Sequence, residues 1–163
     1  MNSTFASASS LTTLLDEHEA RYRVIDHPPE GNTEKASRLR GHPLDAAAKC
    51  LVVRVRTGKT RQHVLVVVPG DRRVDIAAVR DLYGCRSATV APLDVAEQLT
   101  GSVSGAIPPF TFHPDLDLVV DPALLHHDEI FFNAGTLDRS YALRTDDYVR
   151  VMRPRLETVA QDV

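Results

Sequence analysis

A lysine at the mouth of an apolar run and a glycine-proline loop are the two places where this chain could do chemistry. The lysine lies in Ala46-Ala47-Ala48-Lys49-Cys50-Leu51-Val52-Val53. An ammonium at the start of a strand, flanked by Ala48 and Leu51, is partly desolvated and is a compact donor for a phosphate or a carbonyl oxygen. The same residue would equally serve as a snorkelling surface lysine. The loop is Leu99-Thr100-Gly101-Ser102-Val103-Ser104-Gly105-Ala106-Ile107-Pro108-Pro109-Phe110. Gly101 and Gly105 followed by the Pro108-Pro109 pair exclude both a helix interior and a central strand. Glycine permits close backbone approach. If the loop N–H groups converge, they can stabilise charge developing on a carbonyl oxygen during ester hydrolysis. A plain connection between elements is the alternative reading. Asn133-Ala134-Gly135 closes a later strand with a polar side chain and another close-approach glycine. Together these segments suggest a small site for an anionic or ester-bearing ligand.

Other constellations carry less. His113, His126, His127 and Asp128 lack HExxH or CxxC spacing, so neither a metal nor another cofactor is expected. His27, before Pro28-Pro29, could line a pocket or sit on the surface. Cys50 beside Lys49 could form a thiolate. Strand alternation would turn it away from Lys49, and a buried structural cysteine is the expectation. There is no GxSxG, Walker or GxGxxG pattern.

The elements that must position these groups follow from periodicity and punctuation. Ser10 caps a predicted helix from Leu11 to Ala20, and Tyr22–Asp26 reads as a strand stopped by His27-Pro28-Pro29. Thr33 caps a second helix through Arg40, ended by Gly41. Lys49–Arg56 and His63–Val68 form a hairpin around Thr57-Gly58-Lys59-Thr60. Asp75 starts a helix closed by Gly84, Ser87–Ala91 is a strand, and Pro92 opens a helix to Leu99. Leu116–Val120, Glu129–Asn133 and Arg139–Leu143 are strands. A short helix capped by Thr145 or Asp146 ends before Pro154. Little pattern follows Arg155. The expected fold is therefore α+β, a mixed and mostly antiparallel sheet or barrel-like core with helices outside. Residues 11–155 form one domain, between a flexible tail at 1–10 and a C-terminal tail at 156–163.

With 163 residues, 43% of them hydrophobic and 25% charged, the chain can bury a real core. No stretch reaches the ~18 apolar residues of a membrane span, and the N-terminus lacks a signal-peptide pattern. Two cysteines, Cys50 and Cys85, make no disulfide framework, which fits a cytoplasmic protein. The net charge of −3 is unevenly spread: residues 21–90 carry 14 Lys and Arg against 7 Asp and Glu, and residues 91–163 carry 5 against 12. Either the first half offers a positive face to a phosphate backbone, or the halves interleave and the field cancels.

Ala48-Lys49-Cys50-Leu51-Val52-Val53, then Thr100-Gly101 through Gly105-Ala106-Ile107-Pro108-Pro109-Phe110, then Phe132-Asn133-Ala134-Gly135, resemble the YbaK/prolyl-tRNA-synthetase editing-domain family. The likeness spans about Tyr22 to Arg153. Phe112-His113-Pro114, Asp128-Glu129-Ile130 and Thr136-Leu137-Asp138 place it closest to the YeaK branch. The resemblance implies a metal-independent aminoacyl-tRNA deacylase that hydrolyses mischarged tRNA in trans. Backbone and the substrate's own ribose hydroxyl would position the attacking water. Lys49 and Gly101 are the catalytic expectations; His27, Cys50, Ser104, Gly105, Ile107, Pro108, Asn133, Gly135 and Ser140 are the substrate-binding ones. tRNA is the implied partner, with a synthetase as a second candidate. The chain departs from the better-known members at Cys50, where they carry Thr, and at Ser104, both near the amino-acid pocket. A non-catalytic binding module and an esterase for non-tRNA acyl esters are the competing readings.

Overall fold

The computed structural model describes residues 8–163. The element order is α1 (Ala8–Glu17), β1 (Tyr22–Asp26), α2 (Thr33–Arg40), β2 (Ala48–Thr57), β3 (Thr60–Pro69), β4 (Arg72–Val74), α3 (Ile76–Leu82), β5 (Ser87–Val90), α4 (Leu93–Thr100), β6 (Leu116–Val120), β7 (Glu129–Asn133), β8 (Arg139–Arg144), α5 (Thr145–Met152), β9 (Arg155–Leu156) and β10 (Ala160–Asp162).

The strands form three open sheets. A five-stranded sheet runs β5-β2-β3-β6-β9, a three-stranded sheet runs β1-β8-β7, and β10 pairs with β4. Pairings are antiparallel except β3 with β6 and β6 with β9. Mixed α/β architecture with mostly antiparallel pairing is thus as expected. The barrel-like closure is not: outside the named strands, a single parallel bridge, Ala47 to Phe131, links the two larger sheets. The edge strands β5 and β9 pair on one side each, so the sheets stay open.

The five-stranded sheet is buried on both faces. Val52, Leu65, Val67, Leu116 and Val120 face a core shared with Leu11, Leu15, Phe110, Phe132, Tyr141 and Tyr148. Val53, Val55, Val64, Val66 and Val119 face a second core closed by Val74, Val79 and Val159. The unbroken apolar run Val64–Val68 reflects this, since a strand covered on both sides has no polar face to alternate with. Full burial of each such side chain contributes roughly 1.5–3 kcal/mol.

Three boundaries differ from the sequence expectation. Asn32, not Thr33, caps α2: its Oδ1 accepts the Lys35 N–H at 3.0 Å. Thr145 is no cap, because its hydroxyl donates to the His127 carbonyl at 2.5 Å. The C-terminal segment is not a tail. Leu156 pairs with Val120 and Ala160–Asp162 pair with Arg72–Val74, so chain ends with no local periodicity are recruited by distant strands. Of the predicted N-terminal tail, residues 1–7 lie outside the described residues, and Ala8 already opens α1.

The two halves of opposite charge interleave. Arg21 pairs with Asp146 and Asp147, Arg23 with Glu129, Arg139 with Asp26, and His127 with Asp45. Charges from the two halves thus meet in space at these pairs. Arg54, Arg56, Lys59 and Arg61, at the far end of the β2–β3 hairpin, form no ion pair among the described residues.

Candidate active site

A small cavity of about 80 Å³ opens where α2, β2, β7 and the glycine-proline loop meet. Its walls are Gly31, Thr33, Ala36, Arg40, Ala48, Lys49, Cys50, Gly105, Ile107, Phe132 and Asn133. Five of the sequence-predicted residues therefore line one space: Lys49, Cys50, Gly105, Ile107 and Asn133.

Lys49 sits near the start of β2, and its Nζ donates to the Arg72 carbonyl at 2.6 Å. No carboxylate lies within ion-pair distance of it among the described residues. Burial pulls its ammonium below the usual lysine range, and Asp71 opposes the shift. It also lines a second, open depression with Asn32, Thr33, Glu34, Gly70 and Asp71. Lys49 thus stands at the rim between inner cavity and surface.

The loop is held by its own backbone. Gly101 has φ +66° and caps α4, with its N–H on the Glu97 carbonyl at 2.8 Å. Ser102 N–H goes to Thr100 Oγ1, Ser104 N–H to Glu97 Oε2, and Ala106 N–H to the Val103 carbonyl. The N–H groups of Gly105 and Ile107 make no hydrogen bond among the described residues, and both residues line the cavity. Tyr148 anchors the loop exit by donating to the Pro109 carbonyl at 2.7 Å.

Asn133 ties the walls together. Its Nδ2 donates to the carbonyls of Glu30 at 2.9 Å and Gly105 at 3.1 Å. Its Oδ1 accepts from Ser140 Oγ at 2.8 Å and Arg40 Nη1 at 3.3 Å, so the amide is fully used. Ser140 is wholly buried behind it, with Oγ also 2.7 Å from His27 Nε2. The second His27 nitrogen faces the Pro28 carbonyl. His27 and Ser140 therefore brace Asn133 and do not line the cavity. Pro108 and Gly135 brace the loop, Gly135 through its N–H to the Ala106 carbonyl. Gly101 and Ser104 also lie off the lining. Gly101, the other catalytic expectation, is not among the lining residues, and its left-handed conformation and its N–H cap α4.

Cys50 lines the cavity beside Lys49, and burial pushes its thiol far above the usual thiol range. That environment suits an inert wall. Among the described residues no three His, Cys, Asp or Glu side chains cluster as a metal site.

Sequence reasoning missed Arg40. The last residue of α2 reads as an ordinary helix-end cation, yet its guanidinium is largely enclosed. Burial draws it down to about 10. No carboxylate pairs with it among the described residues; Nε donates to His42 Nε2 at 2.9 Å, and Nη1 to Asn133 and Ser140. His42 is held neutral, drawn down to about 4 chiefly by burial, and its ring stacks on Phe131 at 3.8 Å. Gly31, Thr33 and Ala36 were also missed, since nothing local marks them.

A cation at the rim, two N–H groups without a hydrogen bond among the described residues and a small wall are parts that ester hydrolysis can use. The profile of the aminoacyl-tRNA editing domain family matches residues 27–151. This chain belongs to that family. The editing domain is a hydrolase of the aminoacyl-tRNA ester bond. It is 43% identical over 148 residues to the multifunctional Ser/Thr-tRNA deacylase ProXp-y of Escherichia coli K12, covering 90% of this chain and 88% of that one. The prolyl-tRNA editing protein ProX of Acetoanaerobium sticklandii is 24% identical, with 85% and 86% covered. Among solved structures, the hypothetical protein APE2540 superposes with a TM-score of 0.82 at 22% identity, covering 93% and 99%. A protein described as a trans-editing enzyme for prolyl-tRNA synthetase superposes at 0.79 with 19% identity, covering 99% of each chain. These two likenesses bear on the fold. Among the described residues no helix is long and apolar enough to cross a membrane.

Proposed function

We propose that this editing domain acts in trans on mischarged tRNA carrying a small amino acid, with serine and threonine as the first candidates. The carrying observation is Lys49 at the rim of a cavity of about 80 Å³, unopposed by any ion-paired carboxylate. An amino-acid side chain enters the cavity, and the terminal ribose stays outside it. Ala36, Ala48, Ile107 and Phe132 leave room for a small side chain only. The 43% identical relative is named for Ser/Thr-tRNA, which supports the same size class.

The reaction needs little from the protein, because an aminoacyl ester is already activated. Water attacks the carbonyl carbon and the carbonyl oxygen takes up negative charge. Lys49 Nζ and the N–H groups of Gly105 and Ile107 stabilise that charge. The C–O bond to the ribose then breaks, the ribose oxygen takes the proton that water loses, and free amino acid leaves. Editing of this kind is required because binding alone discriminates small side chains by only ~1–3 kcal/mol per methylene. The unpaired arginines of the β2–β3 hairpin support contact with a tRNA backbone. The cytoplasm is where such a substrate is made, and a synthetase that mischarges tRNA is the natural supplier.

The test is deacylation of alanyl-, seryl-, threonyl- and cysteinyl-tRNA by wild type and Lys49→Ala. Selective turnover lost by at least ~100-fold in Lys49→Ala, with an unchanged thermal melt, supports the reading. No turnover of any substrate by wild type overturns it in favour of a binding module. Equal turnover of simple aminoacyl esters points instead to a general esterase.

A further inference from the structure

We infer that Arg40 reads the side-chain hydroxyl of the bound aminoacyl group, donating from Nη2 to the serine or threonine oxygen. The inference rests on the deacylase reading above and assigns its specificity. A guanidinium has five N–H donors in a fixed fork. Here Nε is spent on His42, and the two hydrogens of Nη1 on Asn133 and Ser140. Nη2 makes no hydrogen bond among the described residues, and Arg40 lines the cavity.

Its partners fix the guanidinium, and no carboxylate among the described residues pairs with it. Asn133 and Ser140 hold one edge; His42, stacked on Phe131, holds another. A donor locked this way loses little freedom on binding. The other side chains of the inner wall are mostly apolar or already satisfied: those of Ala36, Ala48, Ile107 and Phe132 offer no donor, and the Asn133 amide is fully engaged, while the N–H groups of Gly105 and Ile107 serve the carbonyl oxygen. Thr33 brings a hydroxyl to the wall, but it also borders the outer depression.

Lys49 and Arg40 divide the labour by depth. Lys49 borders both the inner cavity and the outer depression, so the ester lies at the junction of the two, with the ribose outside. Arg40 borders the inner cavity and not the outer depression. The group farthest from the ester is the amino-acid side chain. A small side chain with one oxygen matches a small wall in which the Arg40 fork is locked by its own partners and keeps one nitrogen free. A methyl in the same place would leave that donor unpaired, which a binding site strongly disfavours.

Threonine and valine are isosteres, so they isolate the hydroxyl. Threonyl- and valyl-tRNA are given to wild type, Arg40→Met and Arg40→Lys, with thermal melts recorded for each. Wild type is expected to favour threonyl-tRNA in kcat/KM by roughly 100-fold. Arg40→Met should reduce that preference below roughly 5-fold, by losing rate on threonyl-tRNA while valyl-tRNA changes little. Arg40→Lys, which keeps a cation without the fork, should fall between. Wild type that hydrolyses both substrates alike overturns the hydroxyl reading alone and needs no variant to do so. A folded Arg40→Met that keeps the preference, or loses both substrates equally, overturns it too. Wild type that hydrolyses neither overturns the deacylase reading and this one together.

Discussion

Gly105 and Gly31 meet backbone to backbone at the cavity wall: a Cβ on Gly105 would lie 3.0 Å from both the Cα and the carbonyl oxygen of Gly31. Gly105 also has φ +86°, which side-chain-bearing residues rarely adopt. Neither neighbour can yield, since Asn133 holds the Gly105 carbonyl and the adjoining Glu30 carbonyl with the two hydrogens of one amide. Gly31 and Gly105 both line the cavity at this close approach.

Gly105→Ala should therefore damage activity more than stability. We expect about 1–2 kcal/mol of destabilisation and a loss of kcat/KM of at least ~10-fold on the preferred aminoacyl-tRNA. Gly101→Ala is the control. Its φ of +66° predicts a similar loss of about 1 kcal/mol, but it caps α4 away from the lining, so kcat/KM should stay within ~2-fold. Chemical melts and single-turnover deacylation of the two variants separate the effects. Equal kinetic losses would mean that loop rigidity, not the Gly31 contact, shapes the wall.

Asp147 gives stability an acid limit. Hydrogen bonds from the Arg21 side chain, the Arg21 N–H at 2.8 Å and Arg150 hold its carboxyl well below the usual carboxylate range. A depressed carboxylate contributes stability above the unfolded value, and that contribution shrinks as pH falls below about 4. Asp147→Asn should lower the melting temperature by roughly 4–8 °C at pH 7, equivalent to about 2 kcal/mol. At pH 3 the gap to wild type should narrow. A gap that is constant with pH would mean that packing, not charge, is what Asp147 supplies.

The two cysteines should separate chemically. Both are half-buried, but Cys50 lies at the cavity wall with its thiol pushed far up by burial, whereas Cys85 lies in the turn between α3 and β5. Iodoacetamide at pH 8 should label Cys85 and spare Cys50 in the folded protein, with deacylation unchanged. Peptide mass spectrometry reads the sites. Labelling of Cys50 coupled to loss of activity would return it to the chemistry.

What could be read in the sequence is what acts locally. The β2–β3 hairpin, Lys49 beside its apolar run and the loop between α4 and β6 all carry their signal within a dozen residues. Arg40 does not. Its burial depends on Asn133 and Ser140, some hundred positions away, and a cation in the last turn of a helix has an ordinary explanation. Gly101 shows the converse. Its residue type signalled a special backbone, and the special backbone was a helix cap one turn short of the site. Within the glycine-proline run, only the pairing of Gly105 with Gly31 distinguishes the glycine that matters.

The C-terminal strands are likewise set by distant partners, and Asp121 is the partner that decides them. It is 4% exposed, and its Oδ2 accepts the N–H groups of Val159 and Ala160, both at 2.9 Å. Val159 is buried in the second core, and its carbonyl accepts the Asp75 N–H at 2.7 Å at the start of α3. Removing residues 157–163 strips Asp121 of two donors and uncovers Val74 and Val79. We expect about 3 kcal/mol of destabilisation, near 6–12 °C. Asp121→Ala should cost a similar amount by orphaning the same N–H groups. Because the two changes remove the same bonds, combining them should cost well under the sum. Denaturant melts of the single and double variants test this, and strict additivity would show that Asp121 holds its own turn at Ala123 and leaves the C-terminus to packing alone.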